Sequence, residues 1–140
     1  MAVDDRTPIF IGVAQVEQRE DDPSVAKEPL DLMVEAVRAA GEDCGNPKVL
    51  ELADSVRVIR GIWGYGNPAR QVAERIGASG AETGLTSLGG NYVQSMTNRS
   101  FLDIQSGKNE IVIVTGGECG RTQGRARKAG IELDWNPLTR

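Results

Sequence analysis

Thr86-Ser87-Leu88-Gly89-Gly90-Asn91-Tyr92-Val93-Gln94-Ser95-Met96 is the stretch that decides the fold. A weak strand over Glu82 to Ser87 runs into two glycines and then directly into a helix that extends to about Gln105. The shape places a backbone turn at a helix start, where free N–H groups and a partial positive charge gather. Turns of this kind hold a nucleophile or a developing negative charge in many α/β enzymes. Glycine occupies the place here, and the chain contains no histidine.

Outward from this turn, strands and helices alternate. Pro8 to Val16 (PIFIGVAQV) reads as a first buried strand, and residues 17–28 as a charged surface loop. Leu30, Met33, Val34 and Val37 then mark one face of an amphipathic helix, with Pro29 in its first turn and Gly41 or Gly45 at its end. Asn46-Pro47 starts a short helical piece through Leu52. Ser55 to Ile59 (SVRVI) alternates as a strand, and its arginine places it at an edge or under a half-covered face. Ile62-Trp63-Gly64-Tyr65-Gly66 is an aromatic–glycine loop, and Asn67-Pro68 caps a helix that Gly77 stops. In the helix after Gly90, Val93, Met96, Phe101 and Ile104 share one side and Leu102 lies opposite, a pattern suited to burial between two layers. Arg99 and Asp103 form an i,i+4 pair on it. Ile111 to Val114 is a continuous apolar run, expected for a strand buried on both faces of a parallel sheet. Thr122 to Lys128 is basic and helical, and Ile131 to Arg140 has no period. The alternation predicts an α/β layered fold in one domain with right-handed crossovers.

Several chemistries fail on their residue requirements. Leu85-Thr86-Ser87-Leu88-Gly89 lacks the first glycine of a serine nucleophile elbow, and no histidine is present to act as its base. No dinucleotide or P-loop glycine pattern occurs in the first strand–helix turn. The carboxylates at Asp4-Asp5 and Glu20-Asp21-Asp22 read as solvated surface, so no metal site is expected. The net charge of −4 gives no reason to expect nucleic acid, and no apolar run approaches the length of a membrane span. Cys44 and Cys119 read as free thiols of a reducing compartment, and the polar N-terminus carries no signal peptide, so a cytoplasmic location is expected. Cys119 follows an apolar strand beside Arg121, which would favour a reactive thiolate, but a small buried thiol accounts for it better. Arg121, Arg125, Arg127 and Lys128 read as a solvated helix face, with phosphate contact as the sharper alternative.

The run Thr86 to Met96, the strand Ile111 to Val114 and the Gly116-Gly117-Glu118 that follows resemble the N-terminal part of the thiolase superfamily. The nearer resemblance is to the acetyl-CoA acetyltransferase-type subgroup that carries G-G-N-x-x-Q at this turn. Thr7 to Val13 and Trp63 to Arg70 also resemble that subgroup, so about residues 7–130 are covered and 131–140 remain an unassigned tail. The resemblance implies the N-terminal half of a layered α/β/α/β/α fold, partial within residues 1–140, with the helix after Gly90 at its buried centre. It implies an acyl-CoA acyltransferase of lipid metabolism, with coenzyme A thioester as substrate and no further cofactor. Aligned on Gln94, the family's nucleophilic cysteine falls at Gly89, so no catalytic residue is assigned, and Gly89, Gly90 and Asn91 would line the thioester. The family's histidine segments have no counterpart in these residues, so this chain alone is expected to be inactive. The strand near Glu82 to Ser87 would serve a homodimer or a partner chain. The alternative reading is a non-catalytic acyl-CoA-binding or scaffold subunit.

Overall fold

Proline at the first turn and an asparagine cap set where two of the helices begin. In the computed structural model, which describes residues 3–135, Pro29 opens helix α1 (Pro29–Asp43) and Pro68 opens α2 (Pro68–Arg75). Asn67 Oδ1 accepts from Arg70 N at 3.0 Å and so satisfies one free donor of α2. Between them lie a 3-10 helix at Pro47–Leu52 and strand β1 (Ser55–Ile59). Strand β2 (Glu82–Leu85), helix α3 (Tyr92–Gln105), strand β3 (Val112–Gly116) and helix α4 (Gly120–Ala129) follow. Residues 131–135 hold no regular structure, and the rest of the expected tail lies outside the described residues.

The three strands form a parallel sheet in the order β2-β1-β3, with Ser55 opposite both Glu82 and Val112. Asp54 fixes the start of the register: its Oδ2 accepts from Glu110 N at 2.7 Å and Ile111 N at 2.9 Å. Helices α1 and α2 pack together on one face and α3 lies on the other. On the first face Val56 and Val58 meet Leu30, Met33, Val34 and Val37 of α1 and Ala69, Val72 and Ala73 of α2 in one core.

Three sequence expectations are corrected. Pro8 to Val16 forms no strand: residues 9–14 have no sheet partner among the described residues, and Ile9, Phe10 and Val13 are exposed. The segment is held by helices instead, through Val13 N to Asp43 Oδ2 at 2.9 Å and an edge-on Phe10–Phe101 ring contact with centroids 5.3 Å apart. The roles of β1 and β3 are exchanged. β1, with its arginine, is central and buried, whereas the apolar β3 is an outer strand and only half-buried along Val112–Thr115. The arginine is tolerated because Arg57 turns toward α3 and pairs with Asp103 at 2.5 Å, with Ser55, Ser100 and Asn109 completing its donors. The expected Arg99–Asp103 pair also forms, at 3.1 Å, from the solvent side.

Third, α3 is covered on one face only. Ser100 and Asp103 are its buried residues, and Val93 and Leu102 stand exposed on the outer side. Nothing among the described residues forms the second layer that its two-sided pattern anticipates.

Candidate functional site at the carboxyl ends of the strands

The chain leaves β1 toward α2 on one face of the sheet and leaves β2 toward α3 on the other. Adjacent parallel strands whose connections part in this way open a crevice at their carboxyl ends, where α/β proteins bind ligands. The Thr86–Tyr92 turn lies on this crevice. Thr86 is its buried anchor: Oγ1 accepts from Arg60 N at 3.0 Å and donates to Ser87 O at 2.8 Å, tying the loops after β1 and β2 together.

The structure keeps Gly89, Gly90 and Asn91 together at the start of α3, with Gly90 and Asn91 exposed and Gly89 half-buried. Gly89 has φ +147°, a region that side chains rarely adopt, and a Cβ there would stand 2.5 Å from Asn91 Oδ1. The Asn91 carboxamide therefore fills the place where a side chain at 89 would emerge. It does not cap the helix, and the N–H groups of Gly90 and Asn91 have no acceptor among the described residues. Tyr92 N and Val93 N are taken by Gly89 O and Gly90 O. Two unpaired donors at the head of a fourteen-residue helix can hold an anionic or carbonyl oxygen.

The loop after β3 closes the other side of the crevice. Glu118 Oε1 accepts from Ile62 N at 2.6 Å, Trp63 Nε1 donates to Gly117 O at 2.9 Å, and Gln123 Nε2 donates to Ile62 O at 3.3 Å. Trp63 and Tyr65 are buried, with ring centroids 5.1 Å apart, so the aromatic–glycine loop is packed rather than presented to a ligand. Tyr65 Oη donates to Glu28 Oε2 at 2.5 Å, and burial with this carboxylate pushes the phenol far above its ordinary range. The role of Glu118 escaped the sequence reading, although a lone acid among glycines after an apolar strand was its available signal.

Cys119 sits at the head of α4 and is buried. Desolvation, aided by Glu118, Glu28 and Asp31, pushes its thiol up to about 11. Arg121 does not oppose this, since it pairs with Asp21 at 2.8 Å. Cys119 is thus an inert thiol, and a thiol-alkylating reagent at neutral pH is expected to label the half-exposed Cys44 first. Mass spectrometry of the labelled peptides checks the order. Labelling of Cys119 first would contradict the burial.

Arg125 also reaches Asp21, at 2.5 Å, and this pair with Arg121 holds the exposed Asp21 carboxyl below its ordinary range. Two of the four basic residues read from the sequence therefore face an acid of the 17–28 loop. The described residues contain no cluster of ligands that could hold a metal ion, and no helix among them is long and apolar enough to cross a membrane.

This fold has a solved counterpart. A monomeric SCP2-thiolase-like protein type 1 from Mycobacterium smegmatis matches with a TM-score of 0.74 and 32% sequence identity, over 84% of this chain and 25% of that one. The fold is thiolase-like, and the chain spans a quarter of that neighbour's length. Neither a scan of protein-family models nor a search of curated proteins finds a match.

Proposed function

We propose that the chain is the N-terminal portion of a thiolase-like protein that binds an acyl-CoA thioester at the β1–β2 crevice without forming an acyl-enzyme. The observation that carries this reading is the turn itself. Two backbone donors without an acceptor among the described residues lie at the head of α3, and position 89 is a glycine at a backbone angle that side chains rarely adopt. The thioester carbonyl would accept from Gly90 N and Asn91 N, the geometry that elsewhere stabilises an oxyanion. Without a covalent step at 89, the remaining chemistry open to a complete protein is binding, or a retro-condensation that proceeds directly on the thioester. Descent from acetyl-CoA acetyltransferase-type proteins without their acyl transfer, a place in lipid metabolism and a cytoplasmic location belong to the same proposal.

Titration of the isotopically labelled protein with acetyl-CoA tests it. The amide signals of Gly89, Gly90 and Asn91 are expected to shift together and saturably, while the intact mass of the recovered protein stays unchanged. An acetylated protein, or shifts confined to the face around α4, would overturn the assignment.

A second reading, a non-catalytic subunit that pairs with another chain, draws on different features. The outer face of α3 exposes Val93 and Leu102, and β2 is an edge of the sheet at Glu82–Leu85 among the described residues. Pairing through that edge would leave the acetyl-CoA titration silent and raise the mass in solution.

A further inference from the structure

We infer that Arg121 and Arg125 of α4 form a fork that binds a phosphate group, and that Asp21 of the 17–28 loop closes it as a resident carboxylate which phosphate displaces. The two arginines stand one helical turn apart, so their side chains share a face of α4. Thr122 and Ala126 are buried on the adjoining face and seat the helix against the rest of the fold. Lys128 continues the basic stripe one turn further. It is exposed, with no ion-pair partner among the described residues.

Asp21 under-fills the fork. A single oxygen, Oδ1, accepts from Arg121 Nη2 at 2.8 Å and from Arg125 Nη1 at 2.5 Å. Arg125 Nη1 also donates to the Asp21 carbonyl at 2.9 Å. The second carboxylate oxygen takes none of the remaining guanidinium donors among the described residues. The contact is also open to water, with Asp21 78% and Arg121 56% exposed, so its hold is weak. A carboxylate arriving from solution gains nothing over one already attached to the chain. A phosphate group brings roughly two charges and three acceptor oxygens, enough to engage both guanidiniums through paired N–H···O bonds. Free inorganic phosphate and the phosphate of a small phosphorylated molecule share that chemistry.

The loop is built to let go at its tip. Gln18 closes its neck on Lys27: Nε2 donates to Lys27 O at 3.1 Å, and Oε1 accepts from Lys27 N at 2.7 Å. Cys119 Sγ, buried at the head of α4, donates to the same carbonyl at 3.5 Å. Beyond the neck the contacts are polar and local. Asp22 N donates to Glu20 Oε1, and Ser24 donates to Asp22 Oδ1 through both N and Oγ. Val25, the largest apolar side chain of the tip, is exposed, and none of residues 19–26 joins the core. A loop with a closed neck and a polar tip opens at the tip while the fold stays intact. Opening also carries away Glu20 and Asp22, which leaves a more positive field at the fork. The inference goes beyond acyl-CoA binding and does not rest on it.

Titration of the isotopically labelled protein with inorganic phosphate, at an ionic strength held constant with sodium chloride, tests the fork. The Nε signals of Arg121 and Arg125 and the amides of residues 20–22 are expected to shift saturably. The heteronuclear NOE of the loop tip should fall as the tip comes free. Asp21→Asn should tighten phosphate binding about tenfold, the share that two exposed ion pairs withhold, and should lower the NOE of the tip without phosphate. Arg121→Gln combined with Arg125→Gln should abolish saturation while the circular dichroism spectrum stays unchanged. Ribose 5-phosphate separates the two sources: tighter binding than inorganic phosphate assigns the group to a carrier molecule, and equal or weaker binding assigns it to free phosphate. Shifts that follow ionic strength alone would overturn the inference. So would an affinity that Asp21→Asn leaves unchanged, or saturable shifts confined to Gly90 and Asn91.

Discussion

Replacing Asp103 by alanine is expected to cost the fold about 3–5 kcal/mol, the usual consequence of leaving a buried charge without its partner. Arg57 is the charge stranded by this change: its side chain is 7% exposed, in the middle of the central strand. Ser55, Ser100 and Asn109 offer it only neutral acceptors. Chemical denaturation should show the loss as a lower midpoint with little change in slope. The double change Arg57→Met with Asp103→Leu should recover most of it, because an apolar pair of similar volume has no desolvation cost to offset. If the single substitution costs under about 1 kcal/mol, the pair is solvated in solution and β1 is not central.

The same carboxyl sets an acid limit. Its hydrogen bond and ion pair with Arg57 hold Asp103 below the ordinary aspartate range. A depressed folded value means that the contribution is complete above the unfolded pKa, near 3.9, and fades as pH falls through the folded value. The Asp103→Ala protein should therefore show a flatter stability profile below about pH 4 than the unsubstituted protein.

Met33→Ala is the second large effect expected, at about 2–5 kcal/mol. Met33 is fully buried between α1 and the sheet, with Val56, Val58 and Leu30 in the same core. Its side chain also supports the site: it lies within 3.2 Å of where a Cβ on Gly117 would be, beneath the carbonyl that accepts from Trp63 Nε1. Truncation should lower the melting temperature and alter Trp63 fluorescence as that bond loosens. A stability loss with unaltered emission would show that the loop is held by Glu118 and Gln123 alone.

The helices were legible because their signals are local. Leu30, Met33, Val34 and Val37 are the buried face of α1, and Asn67-Pro68 starts α2 where the cap and ring demand. The three strands that form were legible for the same reason, but their positions in the sheet were not. Apolarity reads β3 as central, yet the sheet order comes from crossovers that no window of sequence contains. Arg57 looked like an edge residue because its partner lies 46 positions away on α3. Pro8 to Val16 carries a strand's composition without a strand beside it, and composition cannot supply the missing hydrogen-bond partner. At the site, the turn and its three residues were readable from the paired glycines. The Asn91 side chain over Gly89, the Thr86 bridge and the Glu118 clasp depend on where three loops meet, and that follows from the sheet order.

The contact between Gly89 and Asn91 also separates two kinds of constraint on position 89. Any side chain introduced there meets both an unfavourable backbone angle and the Asn91 carboxamide. The carboxamide belongs to an exposed side chain that can swing aside, whereas the backbone angle has no such relief. The angle is therefore what reserves the position for glycine, and the neighbouring side chain only occupies the space that glycine leaves.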